Sequence, residues 1–425
     1  MAMEREIIDI SSDSSDSDNR NSRRKSTKSF VDIPAGELAK ARHALAGVAS
    51  VQRAAVGKHC YQGRVCMTYH VSLDALIDRP NLQKSIVSSF AHDDEWFMPK
   101  LKGPVVVLRH RPPDIPRELD AVQSGNALYV FPAMVGAAGS MHVKLLLLFY
   151  DHKIRVIIPS ANLIQFDWEE MENVLYYQDF PRGNADCEFK SILKESLTNM
   201  KVPIVSLNAL DEFDFTAALG RLVYSRPGTF SDIGLQRLSK VVLEMHIPPS
   251  MPIRCITSSL GKTDGWIQQM HSACRGGSDE PGDIMVYFPS RDTVLTSRLG
   301  KENSSSLFYD ARKYPCGCLY DLESVNAGEL MHAKIILCSD SKDTVYIADT
   351  SEDADGYMYA GSHNFTGAAW GRPLKSRQEV RMTNWELGMM FKLSKTKTNM
   401  PFVIPFRVPG RRNLKPWSSG PPYKS

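Results

Sequence analysis

Two short stretches of this chain, "SMHVKLLLLFY" (140–150) and "LMHAKIILCSD" (330–340), each place a histidine and a lysine one residue apart at the head of an apolar run. On a strand, residues two apart point to the same face. His142 and Lys144 should therefore stand side by side, and so should His332 and Lys334. With 11 His and 51 Lys plus Arg in 425 residues, chance supplies about one His-x-basic pair per chain. Both pairs here sit at the same place in a strand pattern, and each is followed by a second shared motif. "SANLIQFDW" (160–168) and "SHNFTGAAW" (362–370) have the form Ser-x-Asn, an apolar residue, four variable positions and Trp. Asn162 thus lies 20 residues beyond His142, and Asn364 lies 32 beyond His332. Two matched features in the same order mark an internal duplication.

Two His, two Lys and two Asn suit one kind of chemistry. Ammonium groups and amide N–H groups are donors for phosphate oxygens and for the charge that develops on them. Two imidazoles supply a nucleophile and a general acid, which can cleave a phosphodiester without a metal. Each half contributes one set, so the site should lie between the halves, where ligand clefts are common. A lone His on a strand is more often a satisfied core or edge residue; the matched triples are what favour a site. Trp168 and Trp370 read as packing anchors.

The elements that must position these residues alternate along the chain. Strand candidates in the first half are 103–109, 126–131, 142–150 and 154–160; helix candidates are 36–48 and 187–200. A Pro/Gly loop, "SRPGTFSD" (225–232), precedes a second series: 253–261, 283–290, 332–339, 358–362 and 385–391, with a helix near 264–274. Strands alternating with helices in both halves predict two α/β domains, 31–226 and 227–425. Residues 1–30 are Ser/Asp-rich and then basic, and should be a disordered tail. The end of the chain from Pro405 should be irregular, and the acidic stretch 339–356 a surface excursion.

The composition, 43% hydrophobic and 23% charged, is that of a soluble globular protein. A net charge of +3 is too small to indicate a polyanionic partner, so any nucleic-acid surface must be a local basic groove. The eight cysteines lack a metal-ligand rhythm; Cys316-Gly-Cys318 has no second pair to complete a zinc site. Free thiols in a reducing compartment are the simpler reading. No signal peptide opens the sequence, and no apolar run approaches the roughly 18 residues of a bilayer span. Within the tail, Ile7, Ile8 and Ile10 followed by alternating Ser and Asp (7–18) resemble a SUMO-interaction motif, which adds a strand to a partner's sheet edge. Arg23-Arg24-Lys25 fits a nuclear import signal. Both features also fit a merely solvated tail.

The paired motifs resemble the phospholipase D superfamily and, within it, the tyrosyl-DNA phosphodiesterase group. The superfamily's usual Asp after His-x-Lys is missing in both halves, where Phe149 and Ser339 stand. That loss, with Asn in each motif, separates this group from the lipases and ordinary nucleases. "SSLG" (258–261) and "NWELGMMF" (384–391) extend the likeness, which covers about residues 80–410. The resemblance implies two similar α-β-α sandwich domains with mixed sheets, related by a pseudo-two-fold axis, with the active site at their interface. It implies His142 as nucleophile and His332 as general acid and then base, with Lys144, Lys334, Asn162 and Asn364 on the phosphate oxygens. Glu386 would orient an imidazole, Asn173 would hold the equivalent position in the first half, and Ser259 would contact phosphate. No metal or cofactor is implied. The implied partners are single- and double-stranded DNA with a 3′-tyrosyl or other 3′ adduct, and a topoisomerase I-derived peptide, handled by a nuclear monomer with no membrane association. The segment before His142, "FPAMVGAAGS", lacks the aromatic that relatives place there for base stacking. A broader 3′-end nuclease of the superfamily, or a non-catalytic DNA-binding scaffold, are the competing functions.

Overall fold

The run Leu145–Phe149 carries five apolar residues in a row, and all five are buried. Its even positions, Leu146 and Leu148, pack into one apolar cluster, whereas Leu145, Leu147 and Phe149 pack into another. A strand covered on both faces has no polar side to present, which is why it reads as continuous rather than alternating. The computed structural model describes residues 63–418, apart from 136–138, 249, 262–264, 279–283, 310–318, 349–352, 376–377, 398 and 414. The expected tail, its SUMO-like motif, the helix at 36–48 and the Cys316–Cys318 pair all lie outside the described residues.

Six strands form the heart of the first sheet: β1 (Lys84–Ser88), β2 (Val105–Leu108), β3 (Ala127–Val130), β4 (Leu145–Phe149), β5 (Lys153–Pro159) and β6 (Val174–Pro181). Their order is β6-β5-β4-β1-β2-β3. Six more form the heart of the second: β7 (Ile253–Ile256), β8 (Ile284–Phe288), β9 (Leu319–Asp321), β10 (Ile335–Cys338), β11 (Gly356–Gly361) and β12 (Glu386–Ser394), in the order β12-β11-β10-β7-β8-β9. The pairing sense matches as well. In each sheet the first four strands of that order are mutually antiparallel and the last three mutually parallel. Both sheets are therefore mixed, and the repeat seen in the motifs is a repeat of the fold. β4 follows the His142 motif and β10 follows the His332 motif, at equivalent places.

The helix expected at 187–200 forms as α1 (Glu188–Asn199), with Phe189, Leu193 and Leu197 buried at four-residue spacing. A helix that the sequence reading missed, α2 (Leu235–Met245), precedes α3 (Trp266–Cys274), and the two pack together. The odd face of β4 shares one continuous core with residues of the second sheet, such as Met390 and Phe391.

Several expectations change. The strands β1 and β6 were not foreseen. Arg221–Ser225 pairs antiparallel with Glu386–Met390 of β12, so the chain crosses to the second sheet before residue 226. The loop at 225–232 contributes Gly228–Phe230 to a small sheet with Val380–Met382. The acidic stretch is not a simple excursion: Thr344–Ile347 is a strand that pairs with β12 and with Met400–Val403, burying Val345 and Ile347. Among the described residues, no helix is long and apolar enough to cross a membrane.

Candidate active site

The two His-x-Lys pairs lie just ahead of their strands rather than within them, because β4 begins at Leu145 and β10 at Ile335. What fixes them is the opposite half of the molecule. The His142 N–H donates to the Trp385 carbonyl (3.0 Å) and the Trp385 N–H to the Ser140 carbonyl (2.9 Å). The His332 N–H donates to the Glu172 carbonyl (2.9 Å), where Met171–Glu172 pairs in parallel with Leu330–Met331. Each histidine is thus held by the half to which it does not belong.

The side chains repeat this exchange. His142 Nδ1–H donates to Glu386 Oε2 at 2.7 Å, which leaves Nε2 as the free lone pair. Glu386, fully buried, also accepts from Ser362 Oγ (2.5 Å) and Asn384 Nδ2 (3.1 Å). His332 Nδ1 faces Asp167 Oδ2 at 3.3 Å, a longer and looser pair. Asp167 is held by the Asn162 backbone N–H (2.6 Å) and Asn162 Nδ2 (2.8 Å). Residues 142 and 386 come from opposite halves, as do 332 and 167.

The expected site residues therefore converge, with two exceptions of role. Asn173 is fully buried, donates to the Asp167 carbonyl (2.8 Å), accepts from Ser160 Oγ (2.8 Å) and does not reach His332. Asp167 takes the place the sequence reading gave to Asn173. Its position within "SANLIQFDW" was the available signal, but the second motif has Ala369 there, so the repeat gave no reason to notice it. Asn162 is mostly a strut: its Oδ1 accepts from Ser89 Oγ and the Ala91 N–H (both 3.3 Å) while Nδ2 holds Asp167. One N–H remains for a phosphate. Asn364 spends only its oxygen, on Thr257 Oγ1, the Ser258 N–H and Ser258 Oγ, so its amide hydrogens remain available. Ser259 sits in the same turn, half-buried, with its backbone tied to Thr257 Oγ1.

Lys144 and Lys334 are completely buried, and each donates to the carbonyl of its own histidine. Burial pushes the Lys144 ammonium down to about 8. It also lowers Lys334 well below the ordinary lysine range, with Lys144 as the next cause. Two such cations close together form a socket for an anion. Burial and then the two lysines push His142 well below the ordinary imidazole range, so the ring is neutral and its Nε2 is nucleophilic. The same causes hold His332 down to about 4. Burial works to raise Asp167, yet the adjacent His332 and the Asn162 N–H hold it down at about 2.

An aromatic ring does reach His142, from another part of the chain. The half-buried Phe90 ring lies 5.5 Å from the His142 ring, and Lys144 Nζ is 5.9 Å from its centroid. Trp168 and Trp370 are packing groups: the Trp168 indole donates to the Asn162 carbonyl (2.9 Å), and Trp370 lies tilted against buried His363, with ring centroids 4.1 Å apart.

Comparisons with known proteins identify the family. The chain is 25% identical over 374 residues to tyrosyl-DNA phosphodiesterase 1 of Arabidopsis thaliana, covering 77% of this chain and 60% of that protein. It is 24% identical over 385 residues to a probable tyrosyl-DNA phosphodiesterase of Caenorhabditis elegans, covering 79% of this chain and 81% of the relative. The crystal structure of the yeast tyrosyl-DNA phosphodiesterase superposes with a TM-score of 0.63 at 16% identity, over 79% of this chain and 91% of that one. A likeness at that identity is one of fold, the phospholipase D-like α/β fold with mixed sheets. The family model described as tyrosyl-DNA phosphodiesterase matches residues 59–413, and with the motifs, the duplicated sheets and the crossed His–carboxylate pairs inside that span, this chain belongs to the tyrosyl-DNA phosphodiesterase family.

Proposed function

We propose that this protein is a DNA-repair phosphodiesterase that hydrolyses the bond between a DNA 3′-phosphate and the tyrosine of a topoisomerase I-derived peptide. The reading rests on one arrangement above all: a neutral imidazole and a second imidazole, each on a carboxylate from the opposite half, flanking two buried lysines. His142 Nε2 attacks phosphorus, and the bond to the tyrosine oxygen breaks. His332 Nε2–H gives its proton to that oxygen, so a neutral phenol leaves and the 3′-phosphate stays joined to His142. His332, now neutral, takes a proton from water; the oxygen attacks phosphorus, the P–N bond breaks, and a 3′-phosphate and free His142 result. His332 is neutral in the empty site. An anionic phosphate between Lys144 and Lys334 offsets the charges that depress it, so the imidazolium forms in the complex, against Asp167.

The Asn364 amide and both ammonium groups hold the phosphate oxygens, and their donors strengthen as charge grows on them. Phe90 offers a stacking face for a base beside the nucleophile, the sequence-tolerant grip expected for single-stranded ends. A nuclear location and a monomeric state complete the proposal. The test is a 3′-phosphotyrosyl oligonucleotide incubated with the protein in EDTA: release of tyrosine with a 3′-phosphate product is expected, and an unchanged substrate overturns the reading.

A further inference from the structure

Where each histidine takes its backbone bond from the opposite half, the accepting residue also uses its side chain. Trp385, which receives the His142 N–H, donates its indole N–H to the Ala133 carbonyl (3.0 Å). Ala133 lies in the segment that approaches His142, so one residue pins both the histidine and the chain leading to it. Glu172, which receives the His332 N–H, does the same with different chemistry. Its buried carboxylate accepts from Ser324 Oγ (2.7 Å) and Asn326 Nδ2 (2.6 Å), in the segment that approaches His332. Ser324 Oγ in turn accepts the Asn326 N–H (2.9 Å), so the turn 324–326 closes on one carboxylate. The neighbouring first-half groups are Tyr69, which shares the Asn326 amide, and Glu170, which pairs with Arg298 (2.7 Å); from the second half come Glu329 and the Arg298–Glu329 pair (3.2 Å). None of these bonds the Glu172 carboxylate in place of Ser324 or Asn326.

We propose that Glu172 is a positioning residue for His332: its carboxylate tethers the turn Ser324–Asn326 across the seam and so sets the acid–base half of the site, as the Trp385 indole sets the nucleophile half. The proposal rests on the reaction put forward above. It explains a buried carboxylate that the reaction itself does not use, and it predicts that the two supports fail in opposite steps.

The experiment uses the full chain and two oligonucleotides, one ending in a 3′-phosphotyrosine and one in a 3′-(4-nitrophenyl phosphate). Nitrophenolate leaves without a proton, so the first step with that substrate needs His142 but not His332, whereas release of the covalent intermediate needs His332 with either. Glu172→Ala should keep the nitrophenol burst rate and slow the following turnover on the order of tenfold or more, with a covalent protein–DNA adduct on a denaturing gel. Glu172→Gln, which can accept from Asn326 and donate to Ser324 Oγ, should recover most of the turnover. Trp385→Phe should do the reverse, slowing attack so that the burst disappears and no adduct accumulates. If Glu172→Ala fails to fold, Asn326→Ala removes one bond of the tether and should give the adduct in smaller yield. Equal slowing of burst and turnover in Glu172→Ala, or no adduct from folded Glu172→Ala and Asn326→Ala, overturns the positioning role. Failure of the wild-type protein to release either phenol would instead remove the reaction beneath it.

Discussion

Glu386→Gln keeps the shape of a buried side chain and removes its charge, and the surroundings leave the amide no good orientation. In one orientation its oxygen faces His142 Nδ1 and Ser362 Oγ, but its NH2 then meets Asn384 Nδ2. Asn384 cannot turn to relieve this, because its oxygen accepts the Ser140 N–H at 3.2 Å. In the other orientation the NH2 faces His142 and forces the proton onto Nε2, which abolishes the nucleophile. Even in the better case, a hydrogen bond to an ionised group, worth roughly 1.5–3 kcal/mol, becomes a neutral one worth roughly 0.5–1.5. Phosphorylated His142 carries a positive charge, and at an effective dielectric near 20 a unit charge about 4 Å away contributes up to about 4 kcal/mol. The loss in the attack step is therefore about 2–4 kcal/mol, or roughly 30- to 1,000-fold. Rapid-quench kinetics with the nitrophenyl substrate should show slow, linear release of nitrophenol with no burst and no adduct. Because the carboxylate stabilises the phosphohistidine, its removal should not delay hydrolysis. A covalent adduct accumulating in Glu386→Gln would refute the assignment of Glu386 to the nucleophile.

Asp167→Asn should give the opposite signature, since Asp167 faces His332: a near-normal nitrophenol burst, then turnover slowed on the order of tenfold or more with adduct present on a gel. Glu172 offers a stability test. Burial pushes its carboxyl up to about 7 from the ordinary 4.5, so the folded state favours the protonated form, and this contribution is lost as pH rises through 7. Glu172→Gln should therefore raise stability at pH 8 by up to about 3 kcal/mol, with no gain near pH 4.5, read by denaturant midpoints. Lys144 sets the alkaline limb of activity: its ammonium is present below about 8 and lost above it, so kcat/KM should fall tenfold per pH unit at higher pH. A flat profile from about pH 7 to 9.5 would show that no group essential to activity titrates there and would refute Lys144 as the source of the alkaline limb.

Much of the strand framework was visible in the chain. Runs such as 142–150 and 385–391 are apolar because both of their faces are covered, and that is a local property. The strands β1 and β6 were harder to see. "KSIVS" is short and starts and ends in polar residues, and "VLYYQDFP" carries Gln178 and Asp179, whose burial depends on partners elsewhere. Asp179 is tolerable there because Lys153 (2.6 Å) and Arg155 (2.5 Å) neutralise it from the adjacent strand.

The sequence by itself determined the duplication, the two His-x-Lys pairs and their Asn partners, because each is a matter of residue type and spacing; Glu386 was implied only by the resemblance of "NWELGMMF" to the family. Only the tertiary structure decided that the halves exchange their supports. Glu386 serves His142, Asp167 serves His332, and Phe90 joins the nucleophile from a distant loop. Pairs of this kind join residues far apart in the chain and leave no periodicity. Asp167 has an alanine as its counterpart, so even the internal repeat is silent about it. The burial that lowers the lysines and keeps His142 neutral is likewise a property of the closed seam, since desolvation arises only when both halves pack against the same few atoms.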